Sequence, residues 1–144
     1  MISSFRIPLV AMAITLTASF CMGGDTTPLG EEMDKMKDAM KALGKALKSP
    51  SDANKAQYVS LAGDFITAAT AAKKLEPEKT GTLPEADREK FLAEYHKGMD
   101  KLIGQAEKLK EQLAAGHWEN AGRELEQMGN TRKAGHKEFR LHKD

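Results

Sequence analysis

The sequence predicts an all-α protein folded as an antiparallel up-down-up-down four-helix bundle. Apolar residues recur at three- and four-residue steps in four segments, which is the spacing of one face of a helix. No segment shows the period-two alternation and β-branched enrichment of a strand. Most breaks between the four segments are short, and short connections make consecutive helices antiparallel neighbours.

The N-terminal segment has the pattern of a secretory signal peptide. Arg6 precedes an apolar run from Ile7 to Phe20, and small and polar residues follow this run. The run is shorter than the roughly 20 residues that span a bilayer, and no second apolar stretch follows it. We therefore predict a signal peptide over residues 1–23, a single helical domain over residues 24–144, and an exported chain without a membrane span.

Cys21 is the only cysteine of the chain, so no disulfide can form within it. A lipoprotein is the alternative, in which Cys21 would carry a lipid anchor. Phe20 argues against this alternative, because lipoprotein signals place a small residue before the cysteine. The 22 basic and 21 acidic residues nearly cancel, so no basic field predicts a nucleic-acid partner.

The first two helices are predicted over residues 28–48 and 52–75. The segment from Ser49 to Asp52 separates them and supplies capping oxygens for the second helix. The apolar stripe of the first helix is formed by Met33, Met36, Met40, Leu43 and Leu47. That of the second helix is formed by Tyr58, Leu61, Phe65, Ala68, Ala69 and Ala72.

Residues 76–84 are predicted to be the one long connection, because two prolines and a glycine exclude a continuous helix there. The third helix is predicted to start near Glu85 and to end at Gly116, which acts as a C-terminal cap. Its inward residues are Phe91, Tyr95, Met99, Leu102, Ala106, Leu109 and Leu113. The fourth helix follows, with Trp118, Ala121, Leu125, Met128, Arg132, His136 and Phe139 on one face.

Met33 and His136 form the most informative pair in this arrangement. In an up-down-up-down bundle the first helix begins, and the last helix ends, at the same end. The two side chains are therefore predicted to lie at similar depth and to point inward. A thioether and an imidazole that approach one point from two sides could both bind the iron of a haem, so this pair suggests a haem site. Methionine and histidine on apolar stripes are also common as packed core residues, so the spacing alone leaves both interpretations open.

Three segments of the sequence resemble the cytochrome b562 family. They are residues 29–33 (LGEEM), 95–105 (YHKGMDKLIGQ) and 130–140 (NTRKAGHKEFR). The resemblance covers essentially the whole mature chain, including the long connection and the turn at Gly116. It implies a non-covalent b-type haem with Met33 and His136 as its iron ligands, and it implies electron transfer in the periplasm.

The surroundings of this haem follow from the same helix faces. We expect Met36, Met40, Tyr95 and Met99 to line the haem, with Phe139 as a further candidate. Arg132 and Arg140 are candidates for contacting its edge or its propionates, and a solvated helix surface is the alternative for both. The third helix carries Tyr95 and Met99 where the family tends to place aromatic rings, and Gly135 replaces a large side chain beside His136. No C-x-x-C-H sequence is present, so thioether attachment of the haem is not expected.

Two classes of function follow from the sequence. The first is an electron carrier whose iron has both axial positions filled, which predicts a redox partner protein and no enzymatic activity. The second is a haem-free exported bundle that serves as a binding or interaction module. A variant of the second uses the methionine-rich first helix and His136 to bind copper, since thioethers suit the cuprous ion.

Overall fold

The structure is a computed structural model that describes residues 27–141. Over this range it contains four α-helices and no strand, which confirms the predicted all-α four-helix bundle. The helices are α1 (Pro28–Ala46), α2 (Lys55–Lys73), α3 (Glu85–Ala115) and α4 (Trp118–Phe139). The predicted signal peptide and Cys21 lie outside the described residues.

The start of α1 is set by a side-chain cap, whereas α2 has no such cap and follows a capped 3₁₀ turn. The Thr27 hydroxyl oxygen accepts a hydrogen bond from the backbone N–H of Gly30 at 3.1 Å, and Pro28 occupies the first turn. The Ser51 hydroxyl accepts from the backbone N–H of Ala53 at 3.3 Å. Residues 52–54 form a 3₁₀ turn, so α2 begins at Lys55, three residues later than predicted.

The long connection between α2 and α3 contains a second 3₁₀ turn, Glu78–Thr82. Pro77 and Thr80 are buried in it. The Lys79 ammonium donates a hydrogen bond to the backbone carbonyl of Glu138 near the end of α4, and it lies 5.9 Å from the centre of the Phe91 ring. The connection is therefore fastened to both α3 and α4, and it closes one end of the bundle.

The packing between helices is uneven. Each sequential pair, α1 with α2, α2 with α3, and α3 with α4, packs extensively, whereas α1 and α4 approach each other at few positions. The largest completely buried apolar side chains are Leu43, Phe65, Leu109, Leu113 and Met128. Most of them come from the half of the bundle that contains the end of α1 and the end of α3. That half is filled by side chains, and the α1–α4 seam is left less filled in the other half.

We expect Gly116→Ala to destabilise the protein by about 1–2 kcal/mol, because Gly116 has φ 72°, a left-handed conformation that disfavours a Cβ. A Cβ at this position would also lie 3.3 Å from the Lys55 ammonium nitrogen. Gly104→Ala is the matched control inside α3, where an added Cβ meets no atom within 4 Å. It should stabilise the protein by up to about 1 kcal/mol through helix propensity. Urea unfolding followed by circular dichroism measures both effects, and equal effects at the two positions would contradict this interpretation.

Candidate functional site

A cavity of about 760 Å³ lies toward the end of the bundle where α1 begins and α4 ends. Its walls come from α1, α3 and α4, from Phe65 of α2, and from Pro77 and Glu78 of the long connection. The lining is mainly apolar, and the volume lies within the roughly 300–1,000 Å³ typical of cofactor and small-molecule sites.

Met33 and His136 both line this cavity, Met33 from α1 and His136 from α4. Met33 is half-buried and packs against the apolar core, while His136 is exposed at the cavity's edge. The structure thus brings the two side chains to one site at the same end of the bundle. The sequence predicted that His136 points inward, but in the structure this residue is exposed. It is exposed because α1 approaches α4 at few positions.

The four apolar side chains predicted around the cofactor also line the cavity: Met36 and Met40 on α1, and Tyr95 and Met99 on α3. Met36, Tyr95 and Met99 are buried, with 5%, 3% and 6% of their surfaces exposed. Met40 is half-buried. Three of the four are therefore shielded from water by the helices themselves, which makes the inner part of the site apolar.

Tyr95 connects three of the helices around the cavity. Its hydroxyl donates a buried hydrogen bond of 2.7 Å to the backbone carbonyl of Ala72 at the end of α2. Its ring lies edge-on to Phe139 of α4, with 5.6 Å between the ring centres. Burial raises the pKa of the Tyr95 phenol to about 12. The phenol therefore stays protonated, and its hydrogen bond is retained, throughout the physiological pH range.

Both arginines predicted near the cofactor line the cavity. Arg132 is half-buried, and its Nε atom is buried without a hydrogen-bond partner within residues 27–141. A buried donor without a partner lowers the free energy of unfolding by roughly 1–3 kcal/mol, and by more when the group is charged. A ligand with carboxylate oxygens would supply the missing acceptor. Arg140, just after α4, is exposed.

The same two arginines act on His136. Burial of the imidazole on its cavity side lowers the pKa of His136, and the positive charges of Arg132 and Arg140 lower it further. Both effects disfavour the protonated ring. The neutral imidazole is the form that binds a metal ion, so the site holds His136 ready for coordination.

Several lining residues were not predicted as part of the site. Phe65 was predicted only as a core residue of α2, and its position in the helical pattern did not predict that it lines the cavity. Pro77 and Glu78 belong to a connection without a periodic pattern. Gly98 and Gly135 both face the ring of Phe139, since a Cβ at Gly98 would lie 3.6 Å from its Cε2 and one at Gly135 would lie 3.9 Å from its Cδ2. Phe139 thus occupies the space beside Gly135.

The remaining histidines of the described chain lie elsewhere. His96 is exposed and does not line the cavity, although its ring lies 5.8 Å from that of Tyr95. The Nδ1 atom of His117 lies 3.2 Å from Oε1 of Gln112 at the opposite end of the bundle. Within residues 27–141 there is no group of three or more His, Cys, Asp or Glu side chains arranged to hold a metal ion. Over the same range, no helix is both long enough and apolar enough to cross a membrane.

We expect Tyr95→Phe to lower the free energy of unfolding by about 0.5–1.5 kcal/mol, the usual net value of one hydrogen bond. The wild-type protein should also lose stability as the pH rises from 10 towards 12, because the unfolded phenol ionises before the folded one. Tyr95→Phe should remove the part of this alkaline loss that comes from the buried phenol.

Tyr58→Phe is the matched control for this measurement. Tyr58 is the other buried tyrosine, and its hydroxyl makes no hydrogen bond within residues 27–141. Urea unfolding of the three proteins at several pH values, together with a spectrophotometric phenol titration, gives both quantities. An unchanged alkaline loss of stability in Tyr95→Phe would show that the buried phenol is not its source.

The sequence of this chain matches one family of known proteins. A family model for cytochrome b562 matches residues 28–140, which contain all four helices and every lining residue from Leu29 to Arg140. The search of curated proteins found no match. Proteins of the matched family are four-helix-bundle haemoproteins that transfer electrons and are not typically enzymes. Because the match extends over most of its length, the chain belongs to the cytochrome b562 family.

Proposed function

We propose that this protein carries electrons in the periplasm with one non-covalent b-type haem held in the cavity between α1 and α4. Met33 and His136 are the proposed axial ligands. The observation that carries this proposal is that a thioether and an imidazole from two different helices line one apolar cavity, in a chain of a haem-binding family.

The size of the cavity and the residues that line it fit a haem in several respects. The volume of about 760 Å³ suits a cofactor, and the buried Met36, Tyr95 and Met99 offer an apolar surface to a porphyrin ring. The buried Nε of Arg132 lacks an acceptor, which a propionate would supply. The lowered pKa of His136 favours its neutral form, which is the form that binds a metal ion. Arg140, exposed beside the cavity, is proposed as a second contact for the acidic edge of the cofactor.

The role of the protein follows from these residues. When bound, haem supplies a one-electron redox couple at its iron. Met33 and His136 would hold the iron from two different helices, and iron held by two protein side chains is typical of an electron carrier. As a ligand, the soft thioether of Met33 would favour the reduced state of the iron and so raise the reduction potential. The buried side chains of Met36, Tyr95 and Met99 would keep water from the iron and raise its potential further.

The location and the partner belong to the same proposal. The signal-peptide pattern of residues 1–23 supports export, and the family supports the periplasm as the destination. Electron transfer requires a second redox protein that exchanges electrons with the haem. We propose no enzymatic activity for the chain and no nucleic-acid partner.

We expect the purified protein to take up one haem per chain and to show a sharp reduced α band, which indicates six-coordinate, low-spin iron. His136→Ala and Met33→Leu should each remove one axial ligand, so that the band broadens or disappears and haem affinity falls. Visible spectra before and after dithionite, with haem added to the haem-free chain, measure this.

Two control variants separate coordination from packing. His96→Ala removes an exposed imidazole outside the cavity, and Met128→Leu exchanges a thioether for a side chain of similar volume in the buried core, away from the cavity. Both should retain the sharp band. Failure to take up stoichiometric haem, or an unchanged band in both ligand variants, would refute the proposed site.

A further inference from the structure

We propose that Lys79, in the long connection between α2 and α3, is a positioning residue for His136. It holds the last turn of α4 in place in the haem-free chain, so that the imidazole is already ordered when haem binds. The inference rests on the proposed function and adds to it a residue that does not line the cavity. The contact that carries it is a hydrogen bond of 2.5 Å from the Lys79 ammonium to the backbone carbonyl of Glu138.

The last turn of α4 has few hydrogen bonds of its own. The final carbonyls of an α-helix have no partners inside the helix, and a left-handed glycine after the helix commonly allows backbone N–H groups to reach them. α4 ends instead at Arg140 in an extended conformation, whose backbone N–H donates to the His136 carbonyl at 3.2 Å. Within residues 27–141, the carbonyls of residues 136–139 accept one further hydrogen bond, the one that Lys79 donates to Glu138.

The imidazole of His136 depends on the order of this turn. The residue is exposed, and its ring makes no hydrogen bond within residues 27–141. Helix α1, which would cover it from the opposite side of the cavity, approaches α4 at few positions. The direction of the ring is therefore set by the backbone that carries it, and a contact that orders this backbone also orders the ring.

The positive charge of Lys79 suits its position in two ways. A cation at the C-terminal end of a helix is stabilised by the partial negative charge of the helix dipole. The ammonium also lies 5.9 Å from the centre of the Phe91 ring, which is within the range of a cation–π interaction. Phe91 lies edge-on to Phe139 of α4, with 5.4 Å between the ring centres. Lys79 and Phe91 together therefore hold the end of α4 against the connection and α3.

The long connection is ordered enough to serve as an anchor for this contact. The Thr82 hydroxyl donates a hydrogen bond to the Lys79 carbonyl at 2.7 Å, and the backbone N–H of Thr80 donates to the Pro77 carbonyl at 3.0 Å. Pro77 and Thr80 are also buried. Since the backbone around Lys79 is already fixed, its contact with α4 requires only the side chain of Lys79 to lose conformational freedom.

Amide hydrogen exchange of the haem-free chain, followed by NMR, tests whether Lys79 orders the turn. Lys79→Met removes the ammonium and keeps an unbranched side chain. We expect the amides of residues 138–140 to exchange about three- to tenfold faster in this variant, which is the effect of one lost hydrogen bond. Lys79→Arg keeps a charged donor and should restore the wild-type rates. Lys90→Met is the matched control at an exposed lysine that makes no hydrogen bond within residues 27–141, and it should leave these rates unchanged.

Transfer of haem from the loaded protein to an excess of apomyoglobin tests the consequence for the cofactor. Lys79→Met should release haem about three- to tenfold faster than the wild type, because the loosened turn carries a proposed iron ligand. Lys79→Arg and Lys90→Met should release it at the wild-type rate. The reduced α band of Lys79→Met should stay at its wild-type position, since Met33 and His136 are both intact.

The outcomes separate this inference from the proposed function. Equal rates of haem release from the wild type and Lys79→Met, or no recovery in Lys79→Arg, would overturn the inference and leave the proposed function standing. So would an equal rise in exchange at Phe65 and Ala69, completely buried residues of α2, because it would indicate a general loss of stability. A wild-type chain that takes up no haem would instead refute the proposed function and this inference together.

Discussion

Packing between α1 and α4 is sparse, whereas each sequential helix pair packs extensively, and this asymmetry creates the site. In a closed bundle the first and last helices are neighbours that no short connection ties together. The core can therefore stay open between α1 and α4 without loss of the contacts within the three sequential helix pairs. Met33 on α1 and His136 on α4 line the cavity at this seam, so the least packed part of the protein also carries its potential metal ligands.

The cavity walls formed by α2, α3 and α4 are tied to one another although the seam between α1 and α4 is open. The Tyr95 hydroxyl is bonded to the backbone of α2, and its ring packs against Phe139 of α4. Lys79 of the long connection bonds to the backbone near the end of α4. These contacts hold α4 against α3 without help from α1. The position of His136 thus depends on α2, α3 and the connection, and a cofactor would bridge the remaining gap.

The sequence predicted the fold well because helix faces and breaks have strong local signals. Gly116 ends α3 in the left-handed conformation expected of a C-terminal glycine. Ser51, in the segment predicted to cap the second helix, instead caps the 3₁₀ turn that precedes α2. α2 starts three residues later than predicted, because residues 52–54 form a 3₁₀ turn. The sequence does not distinguish this turn from the first turn of an α-helix, since the same capping residues can precede both. Helical spacing also predicted that Met33 and His136 lie at the same end of the bundle, where both line one cavity.

Features that depend on contacts between distant segments were not predictable. The exposure of His136 depends on how closely α1 approaches α4, which no local pattern encodes. The contact between Lys79 and Glu138 joins a connection to a helix end 59 residues away. The unpaired Nε of Arg132 likewise emerges only when all its neighbours are placed. Candidates for the ligands follow from the helix faces, whereas the cavity that both of them line is seen only in the structure.

That Met33 and His136 ligate one haem is tested most directly by NMR of the reduced, haem-loaded protein with isotope-labelled methionine methyl groups. A methionine bound to haem iron lies over the porphyrin, whose ring current shifts its methyl resonance far upfield. One methionine methyl should show this shift, and that resonance should vanish in Met33→Leu. If all methionine methyls remain in their ordinary range, or if the shifted one survives in Met33→Leu, Met33 is not the ligand and the proposed site is wrong.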